Sequence, residues 1–134
     1  MEVVDNIKQA IDLLKEVEEY NQQLNGENGL ISVCDQKIDY WEHYIELEHL
    51  TISEVWRIAK EIKNQRILRR KYKNDAELIK VFKDNEDKLR NPGYRDILLN
   101  QICKTDSKQK NAKYGYNAYT DEERDYILGR KGDK

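Results

Sequence analysis

Between two runs of helical periodicity, the chain reads His49-Leu50-Thr51-Ile52-Ser53-Glu54-Val55. Thr51 and Glu54 form the capping-box pattern, in which the threonine hydroxyl accepts a hydrogen bond from a backbone amide and the glutamate reaches back to the cap. Leu50 and Val55 occupy the two positions of a hydrophobic staple. Because a corner this short makes its flanking helices antiparallel neighbours, the stretch predicts a helical hairpin over about residues 31–73.

The helix before the corner carries an apolar stripe at alternating spacings of three and four, formed by Ile31, Cys34, Ile38, Trp41 and Ile45. This spacing is typical of a coiled-coil seam, and we expect the stripe and its aromatic residues to form core. In an antiparallel hairpin, the numbers of two residues that face each other have a constant sum. If that sum is about 101 here, Glu42 should lie near Lys60, Asp39 near Lys63 and Asp35 near Arg66.

Helical periodicity extends on both sides of the hairpin. An amphipathic helix is predicted over about residues 3–24, ended by Asn25-Gly26-Glu27-Asn28-Gly29, and we expect it to pack on the hairpin. The helix after the corner should continue to about Arg90, either broken at Asn74 or continuous through it. Asn91-Pro92-Gly93 predicts a stop and a turn, followed by a fourth helix from Tyr94 to Lys104.

The last thirty residues show weaker patterns. Residues 105–113 are polar and without a period, which is typical of a linker. A second capping-box pattern from Thr120 to Glu123 opens a short helix. The prediction is therefore an all-α antiparallel bundle over residues 1–104, followed by a linker and a C-terminal segment over residues 105–134.

Charge is unevenly distributed along the chain. The whole protein has a net charge of −2, but residues 1–54 contain 13 acidic and 3 basic side chains, whereas residues 57–74 contain 8 basic and 1 acidic. Because the two excesses lie on adjacent arms of the predicted hairpin, we interpret them mainly as a pairing device that selects one antiparallel partner. Exposed pairs of this kind add little stability individually.

No constellation in the sequence predicts catalysis. Glu42, His43, Glu46 and His49 lie close together, but a carboxylate-bridged metal site would need the Glu-x-x-His motif on two helices, and only one copy occurs. Serine-nucleophile and phosphate-loop motifs do not occur. We therefore expect no enzyme activity, no cofactor and no metal. The two cysteines are isolated, which favours a reducing compartment. The sequence also shows no signal peptide and no apolar stretch long enough to span a membrane, so we expect a cytoplasmic protein that is not bound to a membrane.

Two binding surfaces remain as candidates. The preferred one binds protein through acidic and aromatic contacts, namely Glu42, Tyr44, Glu46, Tyr114, Tyr116 and Tyr119. Tyrosines of the tail could equally dock on the bundle or anchor a partner. The alternative is a nucleic-acid surface formed by the basic residues of the third helix, namely Arg66, Arg69, Arg70 and Lys73.

Over about residues 35–77 the hairpin resembles a group of small phage and prophage proteins of Gram-positive bacteria. The resemblance rests on His43-Tyr44-Ile45-Glu46, preceded by Asp35 and Ile38, and on the four basic residues after the corner. It implies a phage accessory protein of the host cytoplasm, and such proteins often inhibit host defences, including CRISPR nucleases.

The preferred function is thus non-catalytic inhibition of a host protein, such as a nucleic-acid-binding defence enzyme. The alternatives are a nucleic-acid-binding regulator and a structural, self-associating phage protein that forms homodimers.

Overall fold

The computed structural model describes residues 2–112 and 118–130. Within these ranges the chain forms five α-helices, one 3₁₀ turn and no strand, so the predicted all-α fold is confirmed. The helices are α1 (Glu2–Leu24), α2 (Leu30–Leu47), α3 (Ile52–Asp84), α4 (Pro92–Lys110) and α5 (Asp121–Ile127), and the 3₁₀ turn (Glu86–Arg90) lies between α3 and α4.

The corner between α2 and α3 has the predicted capping box. The backbone N–H of Glu54 donates to Thr51 Oγ1 at 3.2 Å, and the backbone N–H of Thr51 donates to a Glu54 carboxylate oxygen at 3.4 Å. The first turn of α3 is thereby capped by local side chains, without tertiary contacts. The two helices leave it as an antiparallel pair.

The hairpin core is small and lies in the middle of the seam. Its buried side chains are Cys34 and Ile38 in α2 and Ile58 and Gln65 in α3. The amide of Gln65 donates to a carboxylate oxygen of Glu61 at 2.8 Å, so this buried polar group is hydrogen-bonded. Burial raises the pKa of the Cys34 thiol, as expected for a cysteine that packs as a small apolar side chain.

The ends of the predicted seam are less buried than expected. Ile31 and Trp41 are only half-buried, and Ile45 is 38% exposed. A single facing helix covers a narrow stripe of α2. The side chains of the predicted seam that lie outside this stripe therefore remain partly exposed to solvent.

Ion pairs across the hairpin differ from the predicted register. Arg66 pairs with Glu42 at 3.2 Å, and Arg69 pairs with Asp35, whereas the sequence suggested Lys60 for Glu42 and Arg66 for Asp35. Lys60 instead lies over the ring of Trp56 at 5.3 Å. The reason is that side chains lean toward the N-terminus of their own helix, so an arginine of α3 reaches back toward the corner.

The last third of α1 packs on the second half of α3. Tyr20 donates a hydrogen bond from its hydroxyl to Asp75 Oδ2 at 2.7 Å, Glu18 forms an ion pair with Lys83, and Leu24 is completely buried. Asp75 is therefore a tertiary partner rather than part of a new cap. α3 accordingly runs without a break through Asn74.

The first half of α1 does not pack on the hairpin as predicted. Val4, Ile7, Ile11 and Leu14 are 51%, 55%, 47% and 43% exposed. The physical reason is the length of α3, which ends at Asp84, next to the residue that pairs with Glu18. The N-terminal half of α1 therefore projects past the end of its neighbour.

The return from α3 begins earlier than predicted, and α4 is longer. α3 ends at Asp84 rather than near Arg90, and a 3₁₀ turn leads to Asn91, whose side chain accepts from the N–H of Gly93 at 3.0 Å. α4 then continues to Lys110, so most of the predicted linker over residues 105–113 is helical. Polar residues carry this extension, because Thr105 and Gln109 are half-buried and Gln109 donates to the carbonyl of Asn74.

The short predicted helix near the C-terminus is confirmed as α5, with the predicted capping box at Thr120. Within the described ranges, α5 contacts none of the other helices. Its apolar residues Tyr126 and Ile127 are 86% and 64% exposed, and Leu128, which follows the helix, is 55% exposed.

Replacing Thr51 with alanine should lower the free energy of unfolding by about 1 kcal/mol, because the first turn of α3 loses its side-chain cap. Thr120→Ala is the matched control, since it removes the same capping box from a helix that contacts no other described helix. Urea unfolding followed by circular dichroism should show a lower midpoint for Thr51→Ala alone. Equal effects of the two substitutions would contradict this account of the corner.

The Tyr20–Asp75 contact predicts a dependence of stability on alkaline pH. Burial, and then the hydrogen bond to Asp75, raise the pKa of Tyr20 from 10.0 to about 12. Folding thus favours the neutral phenol, whose contribution is complete below pH 10 and is lost as the pH rises to about 12. The stability difference between the wild type and Tyr20→Phe should therefore shrink over this range in urea titrations. A difference for Tyr20→Phe that stays constant over this range would refute the assignment.

Candidate functional site

An aromatic ridge of three neighbouring rings runs along one side of α2. It consists of Tyr40, Trp41 and Tyr44. The ring centroid of Trp41 lies 5.0 Å from that of Tyr40 and 5.6 Å from that of Tyr44, both edge-to-face, and Tyr40 and Tyr44 stack at 6.0 Å. Tyr40 is 59% exposed, whereas Trp41 and Tyr44 are half-buried. Mutual ring packing holds the ridge in a fixed shape at the surface.

Beside the ridge lies an open groove of about 740 Å³ between α2 and the first turns of α3. Its apolar lining includes Val33, Tyr40, Trp41 and Ile58, and its polar lining includes Arg57 and Glu61. Apolar surface with a few charged groups around it is the usual composition of an interface core and its rim. The groove can therefore accept an apolar side chain from a binding partner.

The three predicted contacts on α2 do not form one patch. Tyr44 belongs to the aromatic ridge, whereas Glu42 and Glu46 lie two residues before and after it. Residues two apart point to opposite sides of a helix. Glu42 also pairs with Arg66, which assigns it to the hairpin rather than to a free acidic surface. Of this set, only Tyr44 belongs to the aromatic ridge.

Glu46 is in an exposed position near the end of α2. Its carboxylate lies 3.7 Å from Nδ1 of His43, and both side chains are more than 70% exposed. Among the residues that the structure describes, no cluster of three or more histidine, cysteine or acidic side chains could hold a metal ion. His49, the other member of the Glu-x-x-His motif, lies past the end of α2 in the corner and is exposed.

The four basic residues of the alternative surface lie along one face of α3, since Arg66, Arg69, Arg70 and Lys73 recur at spacings of three and four. Two of them are used within the hairpin, Arg66 by Glu42 and Arg69 by Asp35. Arg70 lines a second groove, of about 450 Å³, with Ile62 and Ile67. Lys73 is exposed. The structure therefore brings these residues together and uses at least two of them in ion pairs of the hairpin.

Of the three tail tyrosines, only Tyr119 lies within the described residues, where it is 60% exposed. Tyr114 and Tyr116 lie outside them. The choice between a tail docked on the bundle and a tail that anchors a partner stays a prediction.

Sequence reasoning did not select Tyr40 and Trp41, which contribute most to the ridge. Trp41 fits the spacing of the apolar stripe of α2 and Tyr40 widens its apolar face, so the sequence predicts core packing for both. One signal was available in the sequence: Tyr40, Trp41 and Tyr44 are too many large rings for the narrow stripe that one facing helix can cover. Such an excess predicts that some aromatic surface stays exposed.

Comparison with protein-family models, curated proteins and solved structures gave no match. Function must therefore be inferred from the surface of the protein itself. None of the helices in the described ranges is both long and apolar enough to cross a lipid bilayer.

Proposed function

We propose that the protein acts by binding another protein at the aromatic ridge and groove of α2, without catalysis. The observation that carries this proposal is the exposure of a rigid cluster of tyrosine and tryptophan beside an apolar groove. Tyrosine, tryptophan and arginine supply most of the binding energy in protein interfaces, especially when they surround a pocket that a partner can fill. Arg57 stands at the edge of this groove.

The binding is further proposed to inhibit a host protein during phage growth, with a nucleic-acid-binding defence enzyme as the preferred target. This part rests on the resemblance of the hairpin to phage and prophage proteins and on the acidic excess of residues 1–54. Acidic side chains would steer the protein toward a basic groove. Since Glu18, Asp35 and Glu42 are paired with basic side chains, the steering charge would come from other acids of α1 and α2, such as Asp12 and Asp39.

The test is capture of a partner by tagged protein from nuclease-treated lysate of a Gram-positive host, followed by binding measurements with the purified partner. Tyr40→Ala with Tyr44→Ala should weaken binding at least about tenfold, because the ridge loses two anchoring rings. Tyr126→Ala on α5 removes an equally large exposed ring away from the ridge and should leave the affinity unchanged.

Partner capture that survives loss of both ridge tyrosines would contradict the proposed site. If nuclease treatment abolished capture and Arg70→Glu with Lys73→Glu abolished binding to nucleic acid, the regulator alternative would replace the proposal. These residues are suited to that control because neither belongs to the aromatic ridge.

A further inference from the structure

The N-terminal half of α1 has an apolar face that the rest of the chain leaves open. Val4, Ile7, Ile11 and Leu14 are all more than 40% exposed, and Val3 is 69% exposed. These five residues lie within four helical turns, in the part of α1 that projects past the end of α3. Isolated apolar side chains are ordinary at protein surfaces, but a continuous stripe along one helix face marks an interaction surface.

The side of α1 on which this stripe lies differs from the side that packs against α3. A step of three residues falls about 60° short of a full helical turn. The steps from Ile11 to Leu14 and from Leu14 to Val17 therefore rotate the apolar face by about 120°. Val17 and Leu24 belong to the side that faces the bundle, where Leu24 is fully buried. The first half of the stripe consequently faces a different direction.

We propose that two copies of this chain pair in parallel through the N-terminal halves of their α1 helices, as a short coiled coil. Val4, Ile7, Ile11 and Leu14 follow one another at spacings of three, four and three. This is the a–d–a–d order of a heptad seam, with Val4 and Ile11 at a and Leu14 at the second d. β-Branched residues at a with leucine at d favour a parallel two-stranded pairing, and Val4, Ile11 and Leu14 fit that pattern. Ile7 at the first d position departs from it, since isoleucine at d favours three or four strands.

Charges beside the seam fit the parallel arrangement. The e positions are Lys8 and Lys15, and the facing g positions of a parallel partner are Val3 and Ala10. The lysine stems can cover these small apolar side chains while their ammonium groups stay in water. An antiparallel pair would bring the Lys8 side chains of the two copies toward each other. Residues 2–16 contain four acids and two lysines, a poor composition for binding an anionic membrane.

The expected affinity of pairing follows from the apolar area buried between the two copies and from the fact that α1 is already helical before pairing. Covering these five side chains on each copy, at about 60 Å² each, would remove roughly 600 Å² of apolar surface from water. That is less than the roughly 1,200 Å² of a standard stable interface, so the dimer should depend on concentration. Helix nucleation adds no cost, because the packed C-terminal third of α1 already holds the helix. We expect a dissociation constant on the order of 10–100 µM.

Pairing goes beyond the proposed partner binding, because α1 lies apart from the aromatic ridge. A dimer would carry two ridges. Two linked binding surfaces increase the apparent affinity for a target that presents two copies of a site.

Sedimentation equilibrium of the purified full chain tests the pairing directly. Over about 1 µM to 1 mM, the average mass should rise from the chain mass of 16.0 kDa toward twice that value. Ile7→Asp with Ile11→Asp should keep the protein at the monomer mass throughout. Leu13→Asp is the matched control, because Leu13 is 53% exposed on the same helix but lies outside the seam.

Circular dichroism should show that the aspartate variants keep their helical content and unfolding midpoint. A wild-type mass that stays at 16.0 kDa at the highest concentration would overturn the proposal. So would association that persists in the double seam variant, or that is lost equally in Leu13→Asp.

The parallel orientation has its own measurement. In a Cys103→Ser background, Ile7→Cys should give a disulfide-linked dimer under mild oxidation, because equivalent d positions face each other in a parallel pair. Leu13→Cys should give much less of it. A dimer by sedimentation that does not crosslink at position 7 would contradict the parallel arrangement.

Discussion

The structure depends on the contact between α2 and the first half of α3, which the capped corner at Thr51 makes antiparallel. Cys34, Ile38 and Ile58 provide the apolar part of this contact, and Gln65 provides a satisfied polar one. α3 is twice as long as this contact requires. Its second half is therefore available as the platform on which the end of α1 and the length of α4 pack.

The charge separation of the sequence is explained largely by this hairpin. Arg66 and Arg69 neutralise Glu42 and Asp35 across the seam. Pairs that are half exposed contribute about 0–1 kcal/mol each, so their main effect is to fix which helices pair and in which direction. The aromatic ridge of α2 and the open face of α1 are exposed surfaces whose residues take no part in these ion pairs.

Local signals in the sequence predicted the parts of the fold that depend on local chemistry. The capping boxes at Thr51 and Thr120 and the turn after Leu24 are all present, because each is specified by side chains a few residues apart. The extension of α4 to Lys110 was missed, since polar Thr105 and Gln109 take positions that hydrophobic periodicity cannot detect. Continuity of α3 at Asn74 was undecided because the residues from Asn74 to Glu77 also fit a new N-cap. The contact of Asp75 with Tyr20, 55 residues away in the chain, cannot be read from that local pattern.

The candidate site was harder to predict than the fold. Spacing alone gives the same pattern for a buried stripe and for an exposed one, so the stripes of α1 and α2 both looked like core. Their exposure is set by where α3 ends and how wide a face it covers. These are properties of a neighbouring helix, and a pattern within one helix does not contain them.

Native-state amide hydrogen exchange tests most directly the claim that the hairpin is the stable centre and that the first half of α1 stands apart from it. In dilute, monomeric protein, amides around Ile38, Ile58 and Gln65 should exchange only through global unfolding. Amides of residues 4–14 should exchange through local openings that require much less free energy. Equal protection of the two regions in the monomer would contradict the account, because it would mean that α1 is held along its whole length.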